Sequence, residues 1–565
     1  MNEKIIKYKE LEKITIKMDE YIENNHQDLE KYCRSHHHKK CETPFLTAKL
    51  YYTIGTGYFA AHSSKIQKDW HSPNINYAVH FLRKSLHELK HCKEEHQIIK
   101  IDGKNIALSL SELYSKININ TGNFLVQQHR HIEALDFFDR SIAAKNILGN
   151  VCKANCLIDF NKTIYDKNSI FFFYKEAYKL SKELLTSNRE TTECDKKRFE
   201  IVKKNQKKFI EYFEKKYPDY LETDHSETYR EKFIDSNHKI YLDWVGSNKL
   251  FLNMTNIVNT KEYAYEDCLN LPTFSSNINR LLLLSEELAY HAYFDELKDT
   301  FCYARYIFFS GLQTTDNSLE FYNSTYKQVN SLDYSINSMK TNSYKTALRC
   351  LYSLLDKIAF FVYKYYKVNP DELADHEVNI KRIFISNNKP TPWLEKTKNP
   401  FLTALYFLSK DINDVRQQRK KINKENPDEE LYLSETTFPA ANQINQIRNA
   451  LEHKSLKIVD GFGYELSQKH YDSENTLDKA IKSRENMDKL SIEYKKINEK
   501  IEEKIRLQSF HLAISVEHIE EQILELIKIS RNALMYLALS IEYDERQKPK
   551  DDTSILLELD VPFHK

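Results

Sequence analysis

Tyr344-Lys345-Thr346-Ala347-Leu348-Arg349-Cys350-Leu351-Tyr352-Ser353-Leu354-Leu355-Asp356-Lys357-Ile358-Ala359-Phe360-Phe361-Val362 reads as one amphipathic helix. Leu348, Leu351, Leu355, Ile358 and Val362 recur at steps of three and four, which aligns them in a single apolar stripe. Three more helices of this kind come later, at about 401–421, from Pro439 onward, and at about 512–543. The third begins at a proline suited to a first helical turn, buries Ile444, Ile447 and Leu451, and is stopped by Gly461-Phe462-Gly463. A polar stretch over 367–400, with Pro370, Pro390, Pro392 and Pro400, separates the first helix from the second. Between the third and fourth helices lies a Lys/Glu-rich insertion at about 470–510. There Leu490, Tyr494, Ile497, Ile501 and Ile505 keep heptad-like spacing, predicting a protruding helical arm. Residues 546–565 read as a tail.

Glycine (9) and proline (12) are scarce among the 565 residues, against average usage of about 7% and 5%. Sheets need these residues for hairpins and bulges, so their scarcity predicts an all-α chain with short loops. Charged residues make up 29% of the chain, yet the net charge is +1. A protein that coats long nucleic acid carries a strong basic excess, so any RNA contact here is expected to be local. Met1-Asn2-Glu3-Lys4 does not open a signal peptide, and no apolar run reaches the roughly 18 residues of a membrane span. The nine cysteines are scattered and odd in number, which fits reduced thiols in a cytoplasmic protein.

Upstream, residues 1–44 read as a charged helix followed by Cys33-Arg34-Ser35-His36-His37-His38-Lys39-Lys40-Cys41. Thiols and imidazoles ligate zinc, but adjacent histidines rarely converge on one ion, and the segment reads as a solvated basic loop. Residues 45–225 read as paired helices. One pair is Ala48 to Ala61 with Tyr77 to Leu82, the next Asn120 to Leu125 with Arg130 to Ile142, the third Lys153 to Leu157 with Phe172 to Tyr178. A charged helix from Lys196 to Lys216 closes this region. Gly57-Tyr58 and Gly122-Asn123 in first helices, then Glu133-Ala134-Leu135 in a second, resemble tetratricopeptide repeats, in which small residues let paired helices approach. Ala134 and Ala177 stand 43 residues apart, longer than the usual period of about 34, so the repeats are degenerate. Such repeats imply either a concave surface for a protein or peptide ligand, or a scaffold that positions the C-terminal half. Residues 226–340 form a middle region containing Tyr241-Leu242-Asp243-Trp244 and Leu271-Pro272-Thr273-Phe274.

Chemistry concentrates in Arg448-Asn449-Ala450-Leu451-Glu452-His453-Lys454. Histidine titrates near neutrality and can move the proton of an RNA 2′-hydroxyl. Arginine stays charged and matches phosphate oxygens with its fork of donors. With the 2′-hydroxyl as internal nucleophile the reaction needs neither metal nor cofactor. Asn449 and His453, four apart, share a helix face, whereas Arg448 lies about 100° around the axis. One helix therefore presents an incomplete site, and two facing copies complete it. Glu452 can pair with either residue and neutralise its role. Asp356 can orient Arg448 or His453, or pair instead with Lys357 or Lys410. Lys454 is solvated or touches phosphate. Arg506–His511 repeats the spacing without the asparagine, and Arg531-Asn532-Ala533-Leu534-Met535-Tyr536 has tyrosine where histidine would stand. Both read as structural.

Leu250-Phe251-Leu252-Asn253, Ala304-Arg305-Tyr306, Leu351 to Ala359, Ala404 to Asp411, Ile447 to Lys454 and Arg531 to Ile541 follow one another in order. Together they resemble the HEPN superfamily, specifically a bacterial branch that joins tetratricopeptide-like repeats to a C-terminal HEPN domain. Its motif is Arg, often followed by Asn, four to six residues before His. The resemblance implies a four-helix HEPN bundle at 341–545 and a metal-independent endoribonuclease acting as a toxin or antiviral effector. It implies Arg448, Asn449 and His453 as catalytic, with Asp356, Glu452 and Lys454 supporting, and a homodimer formed through the HEPN domain. The insertion at 470–510 departs from the family pattern. The other reading is a non-catalytic interaction or RNA-binding protein in which the repeats do the work.

Overall fold

The computed structural model describes residues 5–412 with breaks at 25–26, 64–69, 102–103, 187–192, 219–220, 222–233, 260–263, 273–274, 278–287, 315–324, 326–334, 369–372 and 387–388. Beyond these it describes 447–448, 450–452, 455–461, 491–508, 511–547 and 556–558. Helices dominate the described residues, as the paucity of breakers requires. Helices α1 (Tyr8–Glu23) and α2 (Leu29–Arg34) pack on α3 (Pro44–Ser63), which pairs with α4 (Pro73–Leu89). Then α5 (Leu110–Gln127) pairs with α6 (His131–Ala143), and α7 (Ile147–Phe160) with α8 (Lys167–Thr186). At Gly122 on α5 an added Cβ would overlap the Phe138 ring of α6, so the absence of a side chain sets how closely this pair approaches. Helix α9 (Glu193–Lys216) covers α8.

The all-α expectation holds with one small addition of strand, and one expectation for this half is corrected by the structure. Between α4 and α5 the chain forms an antiparallel hairpin, β1 (His96–Ile101) and β2 (Lys104–Ser109). Asp102-Gly103, which falls between the strands in sequence, lies outside the described residues; such a dipeptide in a sequence favours a two-residue hairpin turn. The Cys33–Cys41 segment is not a solvated loop: Cys33, His36, His37 and Cys41 are all buried. His37 hydrogen-bonds the Tyr58 hydroxyl and stacks among Tyr58, Tyr77 and Phe81. Burial pushes its imidazole down to about 3 and the Cys41 thiol up to about 12, so both are neutral core groups. Among the described residues no three His, Cys, Asp or Glu converge as a metal site, and no helix is long and apolar enough to cross a membrane.

The second half is built from α10 (Ser236–Ser247), α11 (Met254–Val258), α12 (Ala289–Gln313), α13 (Met339–Tyr365), α14 (Pro400–Ile412), α15 (Ile492–Gln508) and α16 (Val516–Gln547). Helix α12 lies along α13, and α16 packs on α12, α13 and α14. The stripe of Leu348, Leu351, Leu355, Ile358 and Val362 is buried in this bundle. Within 367–400 the structure shows helical turns at Ile380–Phe384 and Pro392–Glu395 rather than plain loop. The expected continuation of the second helix to 421, and Pro439, Ile444 and Leu490, lie outside the described residues. A further departure from pure helix is a parallel pair, β3 (Ser455–Val459) with β4 (His511–Ser515). Because α15 ends at Gln508 and His511 opens β4, Arg506 and His511 do not share a helix face.

One apolar cluster gathers residues 6–124; a second runs from helices α5 to α8 through residues 245–271 to α16. The modules thus share a core. Phe160 stacks on His131 and reaches Phe401 of α14, which in turn faces Tyr536 of α16. Beside it lies a buried ion cluster. Asp411, 2% exposed, receives Arg130 at 2.7 Å and both terminal nitrogens of Arg83 at 3.4 Å. Arg130 also pairs with Glu133 at 3.0 Å, and Glu133 accepts from the Tyr536 hydroxyl.

The middle region is tied by another buried fork. Arg305 on α12 donates to Asp267 at 3.0 and 2.7 Å, to the Leu250 carbonyl at 2.9 Å, and to the Tyr241 hydroxyl at 3.0 Å. The fork thus ties the Leu250-Phe251 segment to Arg305 on α12. Arg305→Ala would strand Asp267, so unfolding should become easier by about 3–5 kcal/mol, read by chemical denaturation. Burial raises the Asp267 carboxyl, but Arg305 outweighs it and holds the group below its ordinary value. A depressed acid contributes stability that is present above the unfolded-state value of about 3.9 and lost as pH falls through the folded one. The variant should therefore show a weaker acid dependence than wild type below about pH 4.

Candidate active site

Helix α13 starts at a capping box in which Ser338 and Thr341 exchange side-chain and backbone hydrogen bonds of 3.3 and 3.1 Å. Opposite its buried stripe, Arg349, Tyr352, Ser353, Asp356, Lys357 and Phe360 fall at three- and four-residue steps on one face. The segment 447–452 lies across that face, anchored by Ile447, Ala450 and Leu451, all buried. Strand β3 follows immediately. It pairs with β4 at the foot of α16, and the Ile336 amide donates to its Ile458 carbonyl at 2.8 Å. The chain just after the motif is thereby fixed beside the first turn of α13.

This placement brings Arg448 and Asp356 together. The Arg448 Nη2 donates to Asp356 Oδ2 at 2.8 Å, and its guanidinium lies 5.4 Å above the centroid of the Tyr352 ring. Asp356 Oδ1 accepts from the Ile380 amide at 3.3 Å, so the carboxylate that orients the arginine is itself held by a helical turn. Lys357 turns to Glu296 rather than to Asp356, and Lys410 sits over Tyr406 on α14. Glu452 pairs with Arg349 at 3.5 Å, not with Arg448. Arg349 Nη2 also donates to the Leu451 carbonyl at 3.2 Å. An open cavity of about 560 Å³ is lined by Arg448, Arg349, Lys357, Asp356 and Glu452, with Tyr293, Tyr352 and Phe360 as aromatic walls. Burial raises the Tyr293 hydroxyl to about 12 and lifts Tyr352 further, so both stay protonated. Arg448 remains 40% exposed at the mouth. Asn449, His453 and Lys454 lie outside the described residues.

Arg349, Tyr352 and Tyr293 were not singled out by the sequence, and Lys357 was named only as a possible partner of Asp356. For Arg349 a signal exists: it stands seven residues before Asp356, two turns away on the same face. The near-copy motif occupies a different environment. Arg531 is 1% exposed and donates twice to its neighbour Asn532, while Tyr536 is fully buried against Glu133. No surface is available there for a polymer substrate.

Asp356→Asn keeps the shape but removes the charge that holds Arg448. If the pocket is catalytic, the expected result is about a tenfold fall in kcat with KM changed less, measured on a short RNA.

Residues 283–544 match a family model described as LA2681-like HEPN. Searches of curated proteins and of solved structures returned no match. The matched span opens just before α12, which packs along α13, and ends within α16, so it encloses the pocket and every helix that shapes it. The C-terminal part of this chain, from residue 283 to residue 544, belongs to the HEPN superfamily.

Proposed function

We propose that the protein is a metal-independent endoribonuclease that cleaves RNA through the 2′-hydroxyl, in a toxin or antiviral role. HEPN domains are commonly RNases, bind RNA and often dimerise, which gives the coarse expectation. The observation that carries the finer reading is Arg448: a guanidinium at the mouth of an open pocket, oriented by Asp356 and stacked on Tyr352. A cation fixed this way can meet the charge of a pentacoordinate phosphorane without reorganising. Only Nη2 of that guanidinium is taken by Asp356. In this reading His453 is the general acid/base and Asn449 orients the site. A second protomer supplies the matching Arg and His across a homodimer seam. Glu452, which lines the pocket, and Lys454 have supporting roles, and the repeats sense a trigger or hold a partner.

The test is cleavage of a defined RNA by the purified protein with EDTA present. The expected products carry 2′,3′-cyclic phosphate, and a 2′-deoxy residue at the cut site should block the reaction. Absence of cleavage of any RNA by wild type, with RNA binding retained, would favour the non-catalytic interaction protein instead.

A further inference from the structure

Arg349 stands three residues before Tyr352 on α13, about 4.5 Å along the axis and on the same face. Arg448 lies above that Tyr352 ring, and both guanidinium groups line the same open cavity. Their carboxylate partners hold them unequally. Arg448 donates to Asp356 at 2.8 Å, the length of a charge-assisted hydrogen bond, and Asp356 is itself fixed by the Ile380 amide. Arg349 meets Glu452 at 3.5 Å, with both side chains about half exposed, at 54% and 47%. A surface ion pair of that length contributes little. The Leu451 carbonyl, accepting from Nη2 at 3.2 Å, fixes where the guanidinium sits without neutralising it. Arg349 is therefore a positioned cation with a loosely held counter-ion.

One turn earlier on α13 stands Lys345, which has no carboxylate partner among the described residues. Burial lowers its ammonium, and the charge of Arg349 lowers it further. Two like charges are thus crowded at this end of the helix face, a cost that an anion beside them offsets. Lys357, the remaining cation of the lining, is taken by Glu296. Consecutive phosphates of an RNA strand are separated by a single sugar, so a strand with its scissile phosphate on Arg448 brings the next within reach of a neighbouring cation. Glu452 touches one edge of the Arg349 guanidinium, at Nε, whereas a phosphate can take two of its donors at once. We propose that Arg349 binds the phosphate adjacent to the scissile one, and that Glu452 stands in for that phosphate until RNA arrives. This second phosphate subsite rests on the reading of the pocket as the RNA-cleaving site. Because Glu452 immediately precedes His453, the exchange takes place beside the proposed acid/base.

The test is binding of the full-length protein to an RNA octamer whose 2′-hydroxyls are replaced by fluorine, so that it cannot be cut. Fluorescence anisotropy across a salt series gives the affinity and its salt dependence. Arg349→Gln should weaken binding by about tenfold. The slope of log K against log salt should shrink by about 0.7, the share of one phosphate contact on a single strand. Arg349→Lys, which keeps the charge, should keep the slope. Glu452→Gln should tighten binding by about threefold in the wild-type background and change nothing in Arg349→Gln. Wild-type affinity and slope in Arg349→Gln overturn the proposal, as does weaker binding by Glu452→Gln or a wild type that does not bind the octamer at micromolar concentration. If Arg349→Gln loosens the 447–452 segment, the slope still separates the roles, because a lost clamp changes affinity without removing a phosphate contact. Cleavage is read separately with EDTA present. A wild type that binds with the Arg349-dependent slope but cuts nothing keeps the subsite and loses the nuclease reading; one that cuts RNA while Arg349→Gln matches it in affinity and slope loses only the subsite.

Discussion

Arg448→Ala is expected to lower RNA cleavage by about 10²–10³-fold with little loss of fold stability. The side chain is 40% exposed and its ion pair with Asp356 is near solvent, so its removal should cost the structure little. If it meets the transition-state charge, its removal should cost the reaction much. Arg448→Lys should recover only a small part of the rate. A lysine reaching Asp356 keeps one contact but loses the planar fork that lets one end be held while the other faces the phosphate. His453→Ala should cost about 10²–10⁴-fold, the usual worth of a positioned acid/base. The two losses should not multiply in the double variant, because groups that act as a unit are not additive. Cleavage rates for the four variants, beside unfolding curves, decide the matter. Wild-type rates in Arg448→Ala with an unchanged melt would remove the nuclease reading from this pocket.

Asp411→Ala should be the most destabilising substitution at the junction of the modules, by about 3–5 kcal/mol. Asp411 is the shared acceptor of Arg83 and Arg130, from α4 and the start of α6. Both arginines are nearly inaccessible, at 9% and 5% exposed. Deleting the carboxylate leaves two guanidinium groups buried with one remaining acid, Glu133, between them. The penalty comes from those stranded charges rather than from the intrinsic strength of the pair. Hence a triple replacement, Asp411→Leu with Arg83→Met and Arg130→Met, should be far milder than Asp411→Ala alone. Thermal unfolding of both variants tests this, and limited proteolysis should show the N-terminal helices released from the bundle in the single variant only. Equal stability of Asp411→Ala and wild type would mean that the shared apolar core, not the ion cluster, holds the modules together.

Much of the bundle was legible because its signals are local. The three- and four-step stripe of α13 and the small residues of the N-terminal helix pairs each follow from the period of an α-helix and the size of a few side chains. The β1–β2 hairpin was missed because composition speaks for the whole chain while a turn needs only one dipeptide. The burial of His37 was missed because hydrophilic letters in a row do not reveal an aromatic cage supplied by α3 and α4. For Asp356 the sequence offers Arg448, Lys357 and Lys410 alike as partners, and choosing among them needs the third dimension.

By itself the sequence determined a helical chain, a C-terminal bundle with its apolar faces, and the Arg-Asn-x3-His segment within it. Only the tertiary structure decided that Arg448 turns to Asp356, that Glu452 is diverted to Arg349, and that Arg531 is sealed inside. The reason is physical. Helical period is a property of neighbours a few residues apart. The ion pairs join residues about a hundred positions apart, and their choice depends on how β3 and the Ile380 turn hold the two segments against each other.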